Sequence, residues 1–254
     1  MNTVAITRVA ETQWEAVDAE RIVGHGDVSH RPDGRLFISI DVWQDAIFDQ
    51  LATAMLADLP EPLHTLVGEA EQDLRSSWER LGFTVGRREW EYVLPSHPRR
   101  SGLEAQQLPA GVTVLPAGEG DEELLRALER TIREEVEATV GWHTMPAQVL
   151  AGPAGCTLVD PSKYAVALRG GEYVGLVRVA PVRRRARIGL IAIRADQRRH
   201  GIGRALLTHA LSALHRDGID SAWAEVDQSN TAAIALFEGA GARRSSGYLE
   251  LVYR

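Results

Sequence analysis

The residues best suited to chemistry in this sequence are Arg198-Arg199-His200-Gly201-Ile202-Gly203-Arg204, two glycines two positions apart inside a cluster of positive charge. An apolar run, Ile188-Gly189-Leu190-Ile191-Ala192-Ile193, leads into them and reads as a strand. Leu206, Leu207, Ala210, Leu211 and Leu214 follow at helical spacing. A strand, a glycine turn and a helix N-terminus aim unpaired N–H groups and the positive end of a dipole at one point. Such a point binds anions, phosphate above all. The side chains of Arg198, Arg199 and Arg204 either add to that field or face solvent.

The elements that must position this turn can be read in chain order. After a short strand over 4–7 and loosely alternating residues to 28, Arg31-Pro32-Asp33-Gly34 marks a turn and 36–40 a strand. A helix over 45–59 carries Ile47, Leu51, Met55 and Leu59 on one stripe and stops at Pro60 and Pro62. A strand (63–68), a helix (72–81) and two strands (83–87, 89–94) close the block. A polar, breaker-rich join follows, placing domain boundaries at 1–95 and 110–254 with a linker over 96–109. Beyond it come a strand (112–115), a helix (121–138), an irregular stretch with Trp142, His143 and Met145, and a hairpin (164–168, 173–180). The glycine turn and its helix to 216 are followed by a strand (221–226), a helix (230–239) and strands over 242–245 and 248–253. The predicted class is α/β (α+β).

Composition excludes several functions. With 254 residues, 44% apolar and 25% charged, the chain suits two small globular domains. No apolar run approaches the roughly 18 residues needed to cross a bilayer, and residues 1–10 lack the features of a secretory leader. Cys156 is the single cysteine, so no intrachain disulfide forms. These features predict a cytoplasmic protein with no membrane partner. His25 and His30 have no metal-ligand spacing to a third group, and no metal is expected. A net charge of −7 argues against nucleic acid and for a cationic partner.

Two motifs together resemble the GNAT superfamily of acyl-CoA-dependent N-acyltransferases. Arg198-Arg199-His200-Gly201-Ile202-Gly203 matches its R/Q-x-x-G-x-G/A signature, and Leu190-Ile191-Ala192-Ile193 looks like its fourth strand. Glu225-Val226-Asp227-Gln228-Ser229-Asn230, with the helix from Ala232 to Glu238 and then Gly241, is similar to its second motif. The resemblance spans about 112–254. It implies acetyl-CoA as acyl donor and an amine acceptor. It also implies that the backbone around Ile191, Ala192 and Ile193 pairs with the pantetheine arm, while the segment from Arg198 and Arg199 through His200, Gly201, Ile202 and Gly203 to Arg204 holds the pyrophosphate. Asn230 either caps its helix alone or also meets the cofactor arm, near Phe237.

Acyl transfer to an amine needs a proton acceptor, an N–H donor for the oxyanion and often an acid for the leaving sulfur. The resemblance puts Glu225 at a position some members use as base, on one strand face with Trp223 and Asp227; a salt-bridged Glu is the other reading. His143 is a second base candidate from the acceptor-binding segment. Phe237 stands where many members carry a tyrosine acid, so the acid is unassigned. Tyr248 and Tyr253 are further hydroxyls with no placement.

The halves also repeat. Residues 35–40 mirror 187–192, 66–71 mirror 222–227 and 78–83 mirror 237–242, with a three-residue deletion inferred in the first copy near the place of Asn230. Residues 43–49, acidic and without glycine, stand where the second copy has its turn. Two GNAT-like units follow, each a mixed, mostly antiparallel twisted sheet flanked by helices, the first truncated and without the cofactor motif. The expected activity is N-acetylation of a small amine in a ternary complex, by a monomer or homodimer. A non-catalytic acyl-CoA sensor is the main alternative, and a nucleotide-phosphate binder fits the second motif poorly.

Overall fold

The computed structural model describes residues 4–31, 34–103, 108–139, 141 and 159–254. They form two compact units. The first takes the chain up to Glu89 and the segment Gly247–Arg254; the second takes the described residues from Trp90 to Ser246.

In the first unit, β1 (Ala5–Ala10), β2 (Gln13–Asp18), β3 (Arg21–His30) and β4 (Leu36–Val42) form an antiparallel meander. Helix α1 (Asp45–Asp58) buries Ile47, Phe48, Leu51, Ala52 and Met55, and ends before the two prolines. Strand β5 (Leu63–Gly68) runs parallel to β4, α2 (Gln72–Arg80) follows, and β6 (Thr84–Pro95) departs. Trp78 of α2 is the centre of this core, edge-on to both Phe48 and Phe83 with centroids 4.8 Å apart in each pair.

The second unit begins with the end of β6 and a short helix α3 (Pro98–Ser101). Ser96 and Ser101 are buried, Ser96 Oγ donates to the Ile219 carbonyl at 2.6 Å, and Leu103 packs into the core. The first part of the expected linker is therefore built into this unit. Strand β7 (Val112–Leu115), α4 (Glu122–Glu137), β8 (Tyr164–Arg169), β9 (Glu172–Val182), β10 (Arg185–Ile193), α5 (Ile202–Arg216), β11 (Ser221–Asp227), α6 (Thr231–Glu238) and β12 (Arg243–Tyr253) complete the chain. Strands β7 to β10 pair antiparallel, β11 joins β10 in parallel, and β6 neighbours β11. Alternate residues of β10 serve two cores. Leu190 and Ala192 pack beneath α4, while Ile188, Ile191 and Ile193 pack towards α5 and α6.

Two corrections concern the strands expected over 83–87, 89–94, 242–245 and 248–253. Each pair is one continuous strand, β6 or β12, because sheet pairing carries the backbone through Arg88 and Gly247. Each also divides between units. Tyr92 and Leu94 are core residues of the second, whereas Tyr248 to Tyr253 pair rung by rung with β5 in the first. No helix among the described residues is long and apolar enough to cross a membrane.

Candidate acyl-donor cleft and anion cradle

The β10–β11 ladder is short. It runs from Arg185 opposite Ser221 to Arg187 opposite Trp223. One step later β10 bulges at Gly189, where its register against β9 shifts between Ile188 and Leu190. The strands then part. Ile188 to Ile191 line one wall of the cleft between them, Ala224 to Asp227 the other, and Asn230, Ala233 and Phe237 of α6 complete it. Past Arg187, β10 offers that cleft a strand edge to which an extended, amide-bearing chain can add.

The same strand delivers the turn. After Ile193 the chain makes one 3-10 turn (Ala195–Gln197), passes Arg199 at φ 66° and reaches Gly201 at φ 78° as the N-cap of α5. Left-handed backbone suits glycine because an L side chain there crowds the following carbonyl. Gly201 brings no capping side chain, so the first amides of α5 (Ile202, Gly203 and Arg204) point outwards without helical partners. A Cβ at Gly203 would come no nearer than 3.7 Å to its surroundings, so packing within the protein does not require glycine there. Close approach by a ligand would. Arg198, Arg199 and His200 are exposed, Arg204 partly so, and Ile202 is buried and contributes only backbone. An acyl-CoA fits these residues: an edge for the amide arm, and next to it outward N–H groups with cationic side chains for the diphosphate.

The chemistry-bearing side chains lie on β11. Ala222, Ala224 and Val226 are buried, which turns Trp223, Glu225 and Asp227 to the opposite, half-exposed face as the alternation predicted. Glu225 is held in an ion pair. Its Oε2 accepts from Arg187 Nε at 2.8 Å and also from Nη2, with the two side chains 17% and 14% exposed. The salt-bridged alternative thus describes its resting state, and a base role requires taking a proton beside a guanidinium. Asp227 Oδ1 accepts from Ser229 N and Oγ at 2.8 and 2.5 Å, shaping the turn into α6. Asn230 Oδ1 caps α6 through Ala233 N at 3.0 Å, and the residue also lines the cleft. His143 lies outside the described residues.

Phe237 is buried at the cleft and stacks on Tyr92, ring centroids 6.3 Å apart. The Tyr92 hydroxyl donates to Glu238 Oε1 at 3.1 Å; burial and then that carboxylate push its pKa up. The hydroxyl beside Phe237 is thus already committed. Tyr92 and Arg187 are the residues that sequence reasoning missed. The apolar alternation of Trp90, Tyr92 and Leu94 was visible, but not that it serves this core. Tyr248 and Tyr253 belong to the first unit, Tyr253 against Phe83 with centroids 5.4 Å apart.

In the first unit the parallel ladder ends with Phe37 opposite His64, the two rings stacked at 5.2 Å. Arg35 Nη1 and His64 Nδ1 both meet Glu250 Oε1, at 2.5 and 3.0 Å. Only Trp43 and Gln44 connect β4 to α1, so residues 45–49 are helix and not a counterpart of the turn. Buried Leu63 and Val67 answer to Ala222 and Val226, and Leu63 precedes Gln72 by as many positions as Ala222 precedes Thr231. The inferred deletion is therefore absent: matching the strands by their buried faces removes the gap.

Comparison with known proteins agrees with this geometry. Residues 125–242 match the Acetyltransferase (GNAT) family. A mycothiol acetyltransferase from Kytococcus sedentarius is 26% identical over 240 residues, 91% of this chain and 78% of that one. The [ribosomal protein bS18]-alanine N-acetyltransferase of Escherichia coli K12 is 49% identical over 51 residues, which is 20% of this chain and only 34% of that protein. Among solved structures, a GCN5-related N-acetyltransferase from Sphaerobacter thermophilus superposes with a TM-score of 0.68 at 16% identity, covering 97% of this chain and 82% of the other. The strand edge and the glycine cradle both lie within residues 125–242, the part of the chain that matches the Acetyltransferase (GNAT) family.

Proposed function

We propose that the protein transfers an acetyl group from acetyl-CoA to a primary amine of a small-molecule acceptor, by direct attack in a ternary complex, using one site in its second unit. The observation that carries this reading is the continuity of cleft and cradle along β10: Ile191 and Ile193 stand on the strand whose end becomes Gly201 and Gly203. When bound, acetyl-CoA supplies an acyl thioester and a good thiolate leaving group. Backbone at Ile191, Ala192 and Ile193 aligns the arm, and N–H groups from Arg199 to Arg204 hold the diphosphate with charge from Arg198, Arg199, His200 and Arg204. Asn230 and Phe237 shape the far wall. Glu225 takes the amine's proton, oriented for this by Arg187. The first unit is a degenerate GNAT-like copy without a cofactor, and the protein works in the cytoplasm.

Calorimetric titration with acetyl-CoA tests the donor: intact protein binds, and the Gly201→Glu/Gly203→Glu variant does not. Binding unaltered by that variant would sink the reading. Release of free thiol across a panel of primary amines tests turnover. The occupied Glu225 and the hydroxyl-free Phe237 favour one second reading, an acyl-CoA sensor without catalysis, and turnover on any amine rules it out.

A further inference from the structure

We infer that Glu135 of α4 is a positioning residue for the diphosphate cradle, acting through the N–H of Ala195; this rests on the acyl-CoA reading above. The one-turn helix at Ala195–Gln197, which carries the chain from β10 towards Gly201, starts at Arg194, and no side chain caps it locally. Glu135 does so from 60 positions earlier, its Oε2 accepting from Ala195 N at 2.7 Å. The same oxygen lies 3.7 Å from Arg198 Nη2, while Arg198 Nε donates to the Ile193 carbonyl at 3.3 Å. One carboxylate thereby touches both ends of the segment that aims the cradle.

Local helix physics does not explain a glutamate at this place. The last turn of α4 has no basic residue and includes Glu134, Glu135 and Glu137, with negative charge at the negative end of the dipole. A tertiary role does explain it. Neighbouring Val136 packs with Ala192 on the cluster beneath α4, and Ile132 is buried there, so the helix holds the carboxylate at a fixed height beside the end of β10. Glu135 is 23% exposed, protected enough for a charge-assisted bond to outcompete water.

Two substitutions separate the acceptor from the charge. Glu135→Ala removes both. Glu135→Gln keeps an oxygen for Ala195 N–H and drops the charge opposite Arg198. Calorimetry on the full chain, with acetyl-CoA and separately with ADP, which carries a diphosphate without the thiol arm, reads the effect. Glu135→Ala is expected to raise the dissociation constants for both about tenfold, the scale of one lost charge-assisted bond, and Glu135→Gln to change them by no more than about threefold. Several results overturn the inference: Glu135→Ala within about twofold of wild type on both ligands, a loss confined to acetyl-CoA, or Glu135→Gln as damaging as Glu135→Ala. Failure of the wild type to bind acetyl-CoA overturns the functional reading itself, a separate outcome.

Discussion

Replacing Glu225 by glutamine separates two roles that its position allows, proton acceptor and anchor for Arg187. The pair is mostly shielded, with side chains 17% and 14% exposed, and Oε2 receives two N–H groups. Exposed pairs are worth about 0–1 kcal/mol, and breaking a fully buried one costs about 3–5 kcal/mol. An intermediate site that keeps an amide oxygen for Arg187 should lose about 1–2 kcal/mol of stability. Loss of a general base costs far more in rate, about 10²–10⁴-fold, or roughly 3–5 kcal/mol of transition-state stabilisation. Glu225→Gln should therefore stay folded, bind acetyl-CoA as the wild type does and lose at least about a hundredfold in kcat. Arg187→Met, which leaves the carboxylate in place, should retain kcat within about tenfold. Thiol release under saturating donor measures the rates, and urea titration the stability. A Glu225→Gln rate within about threefold of wild type would refute the base assignment and leave Glu225 as an anchor only.

Three further perturbations test the frame. Gly201→Ala forces an L side chain to φ 78° with its Cβ 3.4 Å from Pro109 Cγ, and the left-handed penalty is about 1–2 kcal/mol. The free energies of unfolding and of acetyl-CoA binding should together fall by about that amount, read from thermal melting and calorimetry, and no change in either would contradict the turn geometry. Burial alone would push the Glu250 carboxyl up, but the hydrogen bond from His64 and the charges of Arg35, His64 and Arg87 hold it below its ordinary 4.5. A depressed carboxylate stabilises above its unfolded pKa and loses that contribution as pH falls through the folded one. Unfolding of wild type should therefore ease steadily below about pH 4.5, while Glu250→Gln should be weaker at neutral pH and its profile flatter below that point; parallel profiles would count against the cluster. Ending the chain after Ser246 removes six β5 rungs together with buried Leu249 and Leu251. At about 1.5–3 kcal/mol per buried side chain, that loss is large against a typical stability of about 5–15 kcal/mol. Hydrogen exchange in β5 should accelerate to near-unfolded rates, and retained protection would refute the pairing.

The cradle was legible in the sequence because its cause is local. Glycine at the N-cap, an apolar strand before it and an amphipathic helix after it specify a backbone path within a few residues. Glu225 was legible as a position, since strand alternation alone turns it away from Ala224 and Val226. Its restraint was not: Arg187 meets it only because β10 and β11 pair in parallel with Arg187 opposite Trp223, a register that no local pattern encodes. Tyr92 was hidden for the same reason. Period-two alternation in β6 says which side chains share a face, and says nothing about the sheet that covers it.

The repeat shows how a near-correct alignment misplaces chemistry. Matching apolar identities put Glu69 at the place of Glu225 and required a gap, whereas matching buried faces puts Leu66 there and requires none. The first unit thus lacks the carboxylate as well as the turn. Its connection from β4 to α1 has two residues, Trp43 and Gln44, where the second unit runs from Ile193 to Ile202. A two-residue link leaves no room for a segment like Arg194–Gly201, which carries the chain from β10 to the start of α5, whatever its side chains. Inserting glycines by substitution at 43 and 44 would not create a cradle, because the missing element is chain length and not conformational freedom.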